Sequence, residues 1–224
     1  MKKLLLPLIL LVMAFSLSCD DSSDDDSNPD QVYMVQFRMG FEPNTDYGFN
    51  DEVLDTMIQE GSAADNGAST SMHVGAWVNS NRRALIKFIP AAYVPSFATI
   101  TRAVLSLYSS NVFGNFTIDV HNVVATWAES ATWTNSGFQG WAGGIYDTAV
   151  ISSKKVTTKT SSLTEVSFDL DTGVVQEWID DPWSNQGLIL IPADGTVDES
   201  DALFCTSEHA EEYLRPALTI EYRL

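Results

Sequence analysis

Residues 83–108 contain two runs in which apolar and polar side chains alternate, and this pattern restricts the fold more than any other stretch. Period-two alternation is typical of β-strands with one buried face. Pro90 and Pro95 lie between the runs, and proline lacks the N–H group that a central strand needs. The pattern therefore predicts two core strands joined by a loop. Their inward rows are expected to be Ala84, Ile86 and Phe88 in the first strand and Ala103, Leu105 and Leu107 in the second.

About ten short apolar runs, separated by turn-forming residues, occur along the chain. In the run at 69–75, Met72 and Val74 are expected to point inward, and the run at 116–127 is expected to place Ile118, Val120, Asn122 and Val124 on one side. A further strand is expected at 149–156. Only residues 172–179 have helical spacing, with Asp171 or Thr172 as the cap. These features predict an all-β fold, a jelly-roll β-sandwich with one short helix.

The N-terminus has the pattern of a secretory signal: Lys2 and Lys3, a long apolar run, and then Ser18 followed by Cys19. Its end resembles a bacterial lipoprotein signal. We therefore expect residues 1–18 to be removed during secretion across the inner membrane and Cys19 to carry lipid, whereas cleavage without lipidation is the alternative. Residues 19–31 would be the lipidated cysteine and an acidic tether, and residues 32–224 one β-sandwich domain. Such a protein would be an outer-membrane or cell-surface lipoprotein.

The chain is strongly acidic, with a formal charge of 12 − 30 = −18. Without Lys2, Lys3 and the six aspartates of residues 20–30, residues 31–224 carry 10 − 24 = −14. A domain with this charge repels phosphate backbones, so a nucleic-acid partner is not expected. Cys205 would have no disulfide partner if Cys19 is lipidated, and it is expected to pack as a small hydrophobic residue.

Six segments occur in the order and spacing of one known family: residues 55–69, 81–88, 98–108, 127–135, 174–190 and 215–222. Together they resemble the DNRLRE domain, a disaggregatase-related family that is also classed among carbohydrate-binding modules. The resemblance extends over roughly residues 32–224. It implies a jelly-roll β-sandwich that binds polysaccharide, of the alginate type in some members. The chain departs from the family at Ile89, where aspartate is usual, and at Ala217, where a second arginine is usual.

Aromatic side chains are the candidates for sugar binding, because their flat faces stack on pyranose rings. Trp127, Trp133 and Trp178 lie in fold-defining segments and are expected in the core. The better candidates lie in loop-like sequence: Trp77, Phe138, Trp141, Tyr146 and Trp183. Three of them belong to the glycine-rich segment 136–146. That segment either binds a ligand or folds back to plug the end of the sandwich, and the sequence leaves both possibilities open.

An anionic, alginate-like polysaccharide would also require local positive charge. Arg82, Arg83 and Lys87 could supply it as one basic patch on a predicted strand. A second group, Lys154, Lys155 and Lys159, is more typical of a solvated turn. The predicted ligand-binding residues are thus Phe138, Trp141, Tyr146, Trp77, Arg82, Arg83 and Lys87.

The sequence gives no positive sign of catalysis, and we predict that the protein is not an enzyme. Its three histidines lack metal-ligand spacing, and no nucleophile elbow or phosphate-binding loop is present. Glu129, between Trp127 and Trp133, is expected to have a structural role. The function predicted is non-catalytic polysaccharide binding by a surface-anchored lipoprotein. A structural or adhesive cell-envelope protein that binds no sugar is the alternative, and a lyase or hydrolase would need a cleft with converging carboxylate, histidine or tyrosine groups.

Calcium is the one cofactor that the sequence suggests, because hard cations favour clustered oxygen ligands. Asp169 and Asp171 are the predicted metal ligands, and residues 44–51 are also rich in oxygen-bearing side chains. Neither segment completes a calcium-binding loop of the helix-loop-helix type. The alternative is that Asp171 caps the predicted helix and the others are solvated turn residues.

Overall fold

The structure is a computed structural model that describes residues 31–40, 53–78, 80–137, 139–160 and 163–224. Its eleven strands are β1 (Tyr33–Arg38), β2 (Leu54–Gln59), β3 (Ser71–Trp77), β4 (Ser80–Lys87), β5 (Thr99–Phe113), β6 (Phe116–Val123), β7 (Tyr146–Val156), β8 (Thr164–Asp169), β9 (Leu188–Pro192), β10 (Ser200–Cys205) and β11 (Ala217–Arg223). The helix α1 covers Thr172–Asp180, and two 3-10 turns cover Pro90–Ala92 and Glu212–Leu214. The prediction of an all-β sandwich with one short helix is confirmed.

The strands form an antiparallel sheet in the order β1-β11-β5-β10-β3-β4-β9-β6-β7, with β2 beside β4 and β8 beside β5. The sheet curls, so that β4, β6 and β9 face β3, β5, β10 and β11 across one interior core. Apolar side chains from both layers and from α1 meet there and are withdrawn from water. This burial is the main favourable contribution to folding.

The strands predicted from residues 83–108 are confirmed as β4 and the first part of β5. Ala84, Ile86 and Phe88 lie in the interior core, and Ala103, Leu105 and Leu107 lie opposite them in the same core. Pro90 begins the 3-10 turn of the connection, as expected for a residue without an N–H group. In β3, Met72 and Val74 are also fully buried, as predicted.

A second apolar group lies on the other face of β2, β4 and β9, beneath the connection 124–145 between β6 and β7. We call it the loop-covered cluster. Its buried members are Ile58, Leu85, Val123, Ala125, Trp127, Ala131, Trp141 and Ile189. Because alternate residues of a strand point to opposite faces, Arg83 and Lys87 share the loop-covered face with Leu85. The long connection places Trp133 next to Arg83.

The boundaries of β6 and β7 differ from the prediction. The strand β6 ends at Val123, and its pairing with β7 shifts register around His121. Val123 continues the alternation of β6 and lies in the loop-covered cluster, whereas Val124 lies beyond the strand and is 53% exposed. The prediction that Val124 continues the inward row is therefore wrong. The strand β7 begins at Tyr146, three residues before the predicted start.

The helix α1 agrees closely with its predicted range. Asp171 is the N-cap, and its Oδ1 accepts a hydrogen bond of 2.7 Å from the backbone N–H of Gly173. Val175 and Trp178 pack into the interior core, and Val174 packs at its edge.

Cys205 is buried at the end of β10, where burial raises the pKa of its thiol. None of the helices among the described residues is long and apolar enough to cross a membrane.

Candidate functional site

Arg83 forms the best-defined contact between a cation and aromatic rings. Its guanidinium carbon lies 4.8 Å from the centre of the Trp133 ring and 5.7 Å from that of Tyr146. Its Nη1 donates a 2.5 Å hydrogen bond to the carbonyl oxygen of Gly143. We call Arg83, Trp133, Tyr146 and this carbonyl the Arg83 site. Cation–π contact and hydrogen bonding fix the planar guanidinium. Its Nε is buried without a hydrogen-bond partner, so the N–H groups of the two Nη atoms are the donors that suit a carboxylate or a pair of hydroxyl groups.

The backbone of the connection 124–145 is folded so that Trp133 reaches Arg83. Gly143 donates its N–H to the carbonyl of Trp133 at 2.7 Å, and Gly144 donates to the carbonyl of Trp141 at 2.7 Å. Gly143 has a φ of 82°, and a Cβ there would lie 2.9 Å from the Trp133 ring and 3.1 Å from Arg83. Glycine is therefore required at position 143 both by the left-handed backbone and by the close approach.

Tyr146 is held from its other side by His121. The two rings lie 5.0 Å apart at their centres. The Nδ1 of His121 is 3.0 Å from the carbonyl oxygens of Asp147 and Ala149, so this nitrogen carries the proton and donates to the backbone of β7. The buried histidine thus orients one wall of the Arg83 site, a role that the sequence analysis did not foresee.

Lys87 lies four residues after Arg83 on the same face of β4, so the Cα atoms of the two residues are about 13 Å apart. It is half-buried, and burial lowers the pKa of its ammonium group. No carboxylate of a described residue lies within 4.0 Å of Lys87 or Arg83. Two cations without a carboxylate partner among the described residues are notable in a domain with a formal charge of −14, because most basic groups in such a domain can find an acid.

Arg82 does not join Arg83 and Lys87 in one patch, because neighbouring residues of a strand point to opposite faces. Its Nη1 forms a 3.2 Å ion pair with Asp201, which is 4% exposed at its side chain. The same carboxylate is 2.6 Å from the Nδ1 of His73. The Trp77 ring lies 5.9 Å from the Arg82 guanidinium and 5.8 Å from the Phe113 ring. Asp201 therefore neutralises Arg82, and the prediction of a single basic patch is wrong in this respect.

The aromatic candidates lie in different environments. Trp141 is 1% exposed, and its Nε1 donates a 2.8 Å hydrogen bond to the carbonyl of Thr132. Of the two possibilities that the sequence left open for Trp141, the plugging one is found, because the indole fills the loop-covered cluster. Trp77 lies in β3 and is half-buried, although its sequence appeared loop-like. Phe138 lies outside the described residues. Trp183 is 87% exposed, beyond α1.

Trp133 is the member of the site that sequence reasoning assigned to the core. It packs only at the edge of the loop-covered cluster and presents its ring to Arg83. Trp127 and Trp178 are buried, as predicted. Phe97 is also 75% exposed and was not a candidate. Whether Trp127, Trp133 or Trp178 becomes buried depends on packing against residues that are distant in the sequence. No local sequence pattern carries that information.

The predicted calcium ligands have other contacts. Asp171 caps α1, and the Oδ1 of Asp169 accepts a 3.3 Å hydrogen bond from Nη2 of Arg102. Within the described ranges, no three His, Cys, Asp or Glu side chains are grouped closely enough to hold a metal by themselves. Calcium also binds backbone carbonyls and water, so its binding stays a prediction. The other oxygen-rich segment, 44–51, lies outside the described residues.

A comparison with protein families gives one match. The model of carbohydrate-binding module family 96 matches residues 50–142, which include Arg83, Lys87 and Trp133. The matched segment is less than half of the 224-residue chain. No curated protein matches the chain. The segment that contains Arg83 and Trp133 is thus similar to a carbohydrate-binding module, whereas Gly143 and Tyr146 lie beyond its end.

Proposed function

We propose that this protein binds an anionic polysaccharide at the loop-covered face and does not cleave it. The observation that carries the proposal is the Arg83 site, in which a half-buried guanidinium is held against Trp133 and Tyr146 with no carboxylate partner among the described residues. Arg83 and Trp133 lie within the segment similar to a carbohydrate-binding module, which adds support. An acidic sugar offers a carboxylate for the guanidinium and a ring face for an aromatic side chain.

Lys87 fits the same proposal as a second contact along the polymer. Successive acidic residues of a chain present carboxylates at regular intervals, and two cations on one strand can bind two of them. A carboxylate near Lys87 would offset the desolvation that lowers the pKa of its ammonium group. Alginate-type chains are the first candidates, because the family resemblance implies them.

We further propose that the domain is attached to the cell surface through a lipid on Cys19. This part rests on the sequence alone, since residues 1–30 lie outside the described residues. The acidic segment after Cys19 would serve as a solvated tether. A tethered domain that binds polysaccharide without cleaving it would hold the polymer close to the envelope.

Titration calorimetry with soluble alginate tests the site. Arg83→Gln and Lys87→Gln should each weaken binding about 10- to 100-fold, because each removes a charge-assisted hydrogen bond. Lys155→Gln is the matched control: this residue is exposed on β7, and its loss should change the affinity less than about twofold. Melting curves must show that the variants are folded.

The outcomes distinguish a wrong assignment of the binding site from a wrong assignment of the function. Retention of wild-type affinity in folded Arg83→Gln and Lys87→Gln would contradict the assignment of the site. No binding of any anionic or neutral polysaccharide by the folded wild-type protein would contradict the function, and would favour a structural or adhesive role.

A further inference from the structure

Asp55 on β2 is a carboxylate with no exposure to solvent. Its Oδ2 accepts a 2.7 Å hydrogen bond from the backbone N–H of Ser207. Its Oδ1 is buried and has no hydrogen-bond partner. Leaving a buried carboxylate oxygen without a donor costs several kcal/mol in general, so this oxygen calls for a physical explanation.

The surroundings of Asp55 are acidic. Glu208 accepts a 2.9 Å hydrogen bond at Oε1 from the hydroxyl of Ser207, and its Oε2 is likewise buried without a partner. Glu129, from the connection 124–145, is close enough to repel Asp55. The pKa of Asp55 is raised to about 8, mainly by burial. Repulsion by Glu208 and Glu129 contributes to this rise, whereas the hydrogen bonds from Ser207 oppose it. Among the described residues, no Lys, Arg or His side chain lies within 4.0 Å of Asp55 or Glu208.

Neighbouring segments enclose this acidic group. A Cβ on Gly67 would lie 2.7 Å from the carbonyl oxygen of Glu129, so the β2–β3 connection packs directly against the backbone there. The hydroxyl of Thr206 donates a 2.5 Å hydrogen bond to the carbonyl of Ser69 and ties the same connection to the end of β10. Segments far apart in sequence thus converge on Asp55. Buried acidic groups that converge in this way need a neutralising partner, either a proton or a cation.

We propose that Asp55 and Glu208 are ligands of a divalent cation of the calcium class, with Glu129 beside them. The two buried oxygens without partners, Asp55 Oδ1 and Glu208 Oε2, are hard donors of the kind that such a cation prefers. Two side chains do not complete a coordination shell, so backbone carbonyls or water supply the remaining oxygens. This site lies apart from Asp169 and Asp171 and does not depend on polysaccharide binding. Its role is to join the β2–β3 connection, the connection 124–145 and the end of β10.

Metal content and thermal stability test the proposal on the full mature protein. The protein is treated with chelator, dialysed and then supplied with Ca²⁺, and the bound metal is measured by mass spectrometry. We expect one bound ion per chain. At a free Ca²⁺ concentration about 100 times its Kd, the melting temperature should rise by about 5–10 °C. Sodium chloride of matched ionic strength controls for screening and should not reproduce this rise.

The variants Asp55→Asn and Glu208→Gln should lose most of the calcium-dependent rise in melting temperature. Glu177→Gln, which changes an exposed glutamate of α1, is the matched control and should keep it. If Asp55→Asn fails to fold, Glu208→Gln decides the matter. The proposal is overturned if calcium leaves the melting temperature of the wild-type protein unchanged. It is also overturned if Asp55→Asn is as stable as the wild-type protein and keeps the full calcium response, since a proton would then be the partner.

Discussion

Trp141 shows how one side chain in a loop can belong to the core. The described residues of the connection 124–145 form no strand or helix, yet this indole is 1% exposed and contacts the apolar face of β2, β4 and β9. Its hydrogen bond to Thr132 satisfies the one polar atom that it buries. The connection is thus anchored from within, and this anchoring holds Trp133 in place beside Arg83.

Replacement of this residue has a clear expected result. Trp141→Ala should lower the free energy of unfolding by about 3–5 kcal/mol, because it leaves a cavity and an unsatisfied carbonyl. Trp183→Ala is the control, since Trp183 is 87% exposed, and it should change stability by less than about 0.5 kcal/mol. Denaturant melts measure both values. Similar midpoints for the two variants would show that the connection is not anchored through Trp141.

The sequence predicted some residues of the candidate site but not all of them. Arg83, Lys87 and Tyr146 were candidates because residue type and local setting suffice to select them. Trp133 was assigned to the core, although it lies at the edge of its cluster and faces Arg83. A contact between residues 50 positions apart depends on how the connection folds over the sheet. No pattern within either segment carries that information.

At the scale of elements, strands with one buried face were the most predictable part. In β4 and β5 the alternating pattern fixed the inward row, because a slip of one residue would move each inward side chain to the opposite face. The strand β6 keeps that alternation up to Val123, and the register shifts in its pairing with β7 come from extra residues in β7, of which the sequence gives no sign. The separation of Arg82 from Arg83 follows from the same alternation, which places the two residues on opposite faces of β4.

The register of β5 can be tested with two neighbouring substitutions. Leu105 is fully buried in the interior core, whereas Ser106 is half-buried on the other face. Leu105→Ala should destabilise the protein by about 2–5 kcal/mol, and Ser106→Ala by less than about 1 kcal/mol. Urea denaturation followed by tryptophan fluorescence measures both. Equal losses would contradict the assignment of the two faces.

At the scale of the whole molecule, charge and attachment shape what the domain can bind. A formal charge of −14 on residues 31–224 opposes the approach of any polyanion, so binding must rely on the local field of Arg83 and Lys87. Such binding would strengthen once ligand carboxylates lie within a screening length of these cations. Attachment to a surface would favour it further, because many tethered copies can engage one polymer.

The anchor gives a prediction of its own. In cells that express the full chain, Cys19→Ala should move the protein from the membrane fraction to the soluble fraction, because the substituted residue cannot be lipidated. Immunoblots of the separated fractions measure the change. Cys205→Ser is a control, because Cys205 is buried in β10, and this variant should stay with the membrane. Unchanged membrane partitioning of Cys19→Ala would refute the lipid anchor.

Affinity electrophoresis across a panel of polysaccharides is the most direct test of the central claim. Native gels that contain alginate, pectin or a neutral glucan would be run with the folded wild-type protein, and polymer length would be followed in parallel. We predict that an anionic polysaccharide slows migration, that added salt reverses the effect, and that polymer length does not change. Unaltered migration in every gel, or progressive shortening of the polymer, would contradict non-catalytic polysaccharide binding.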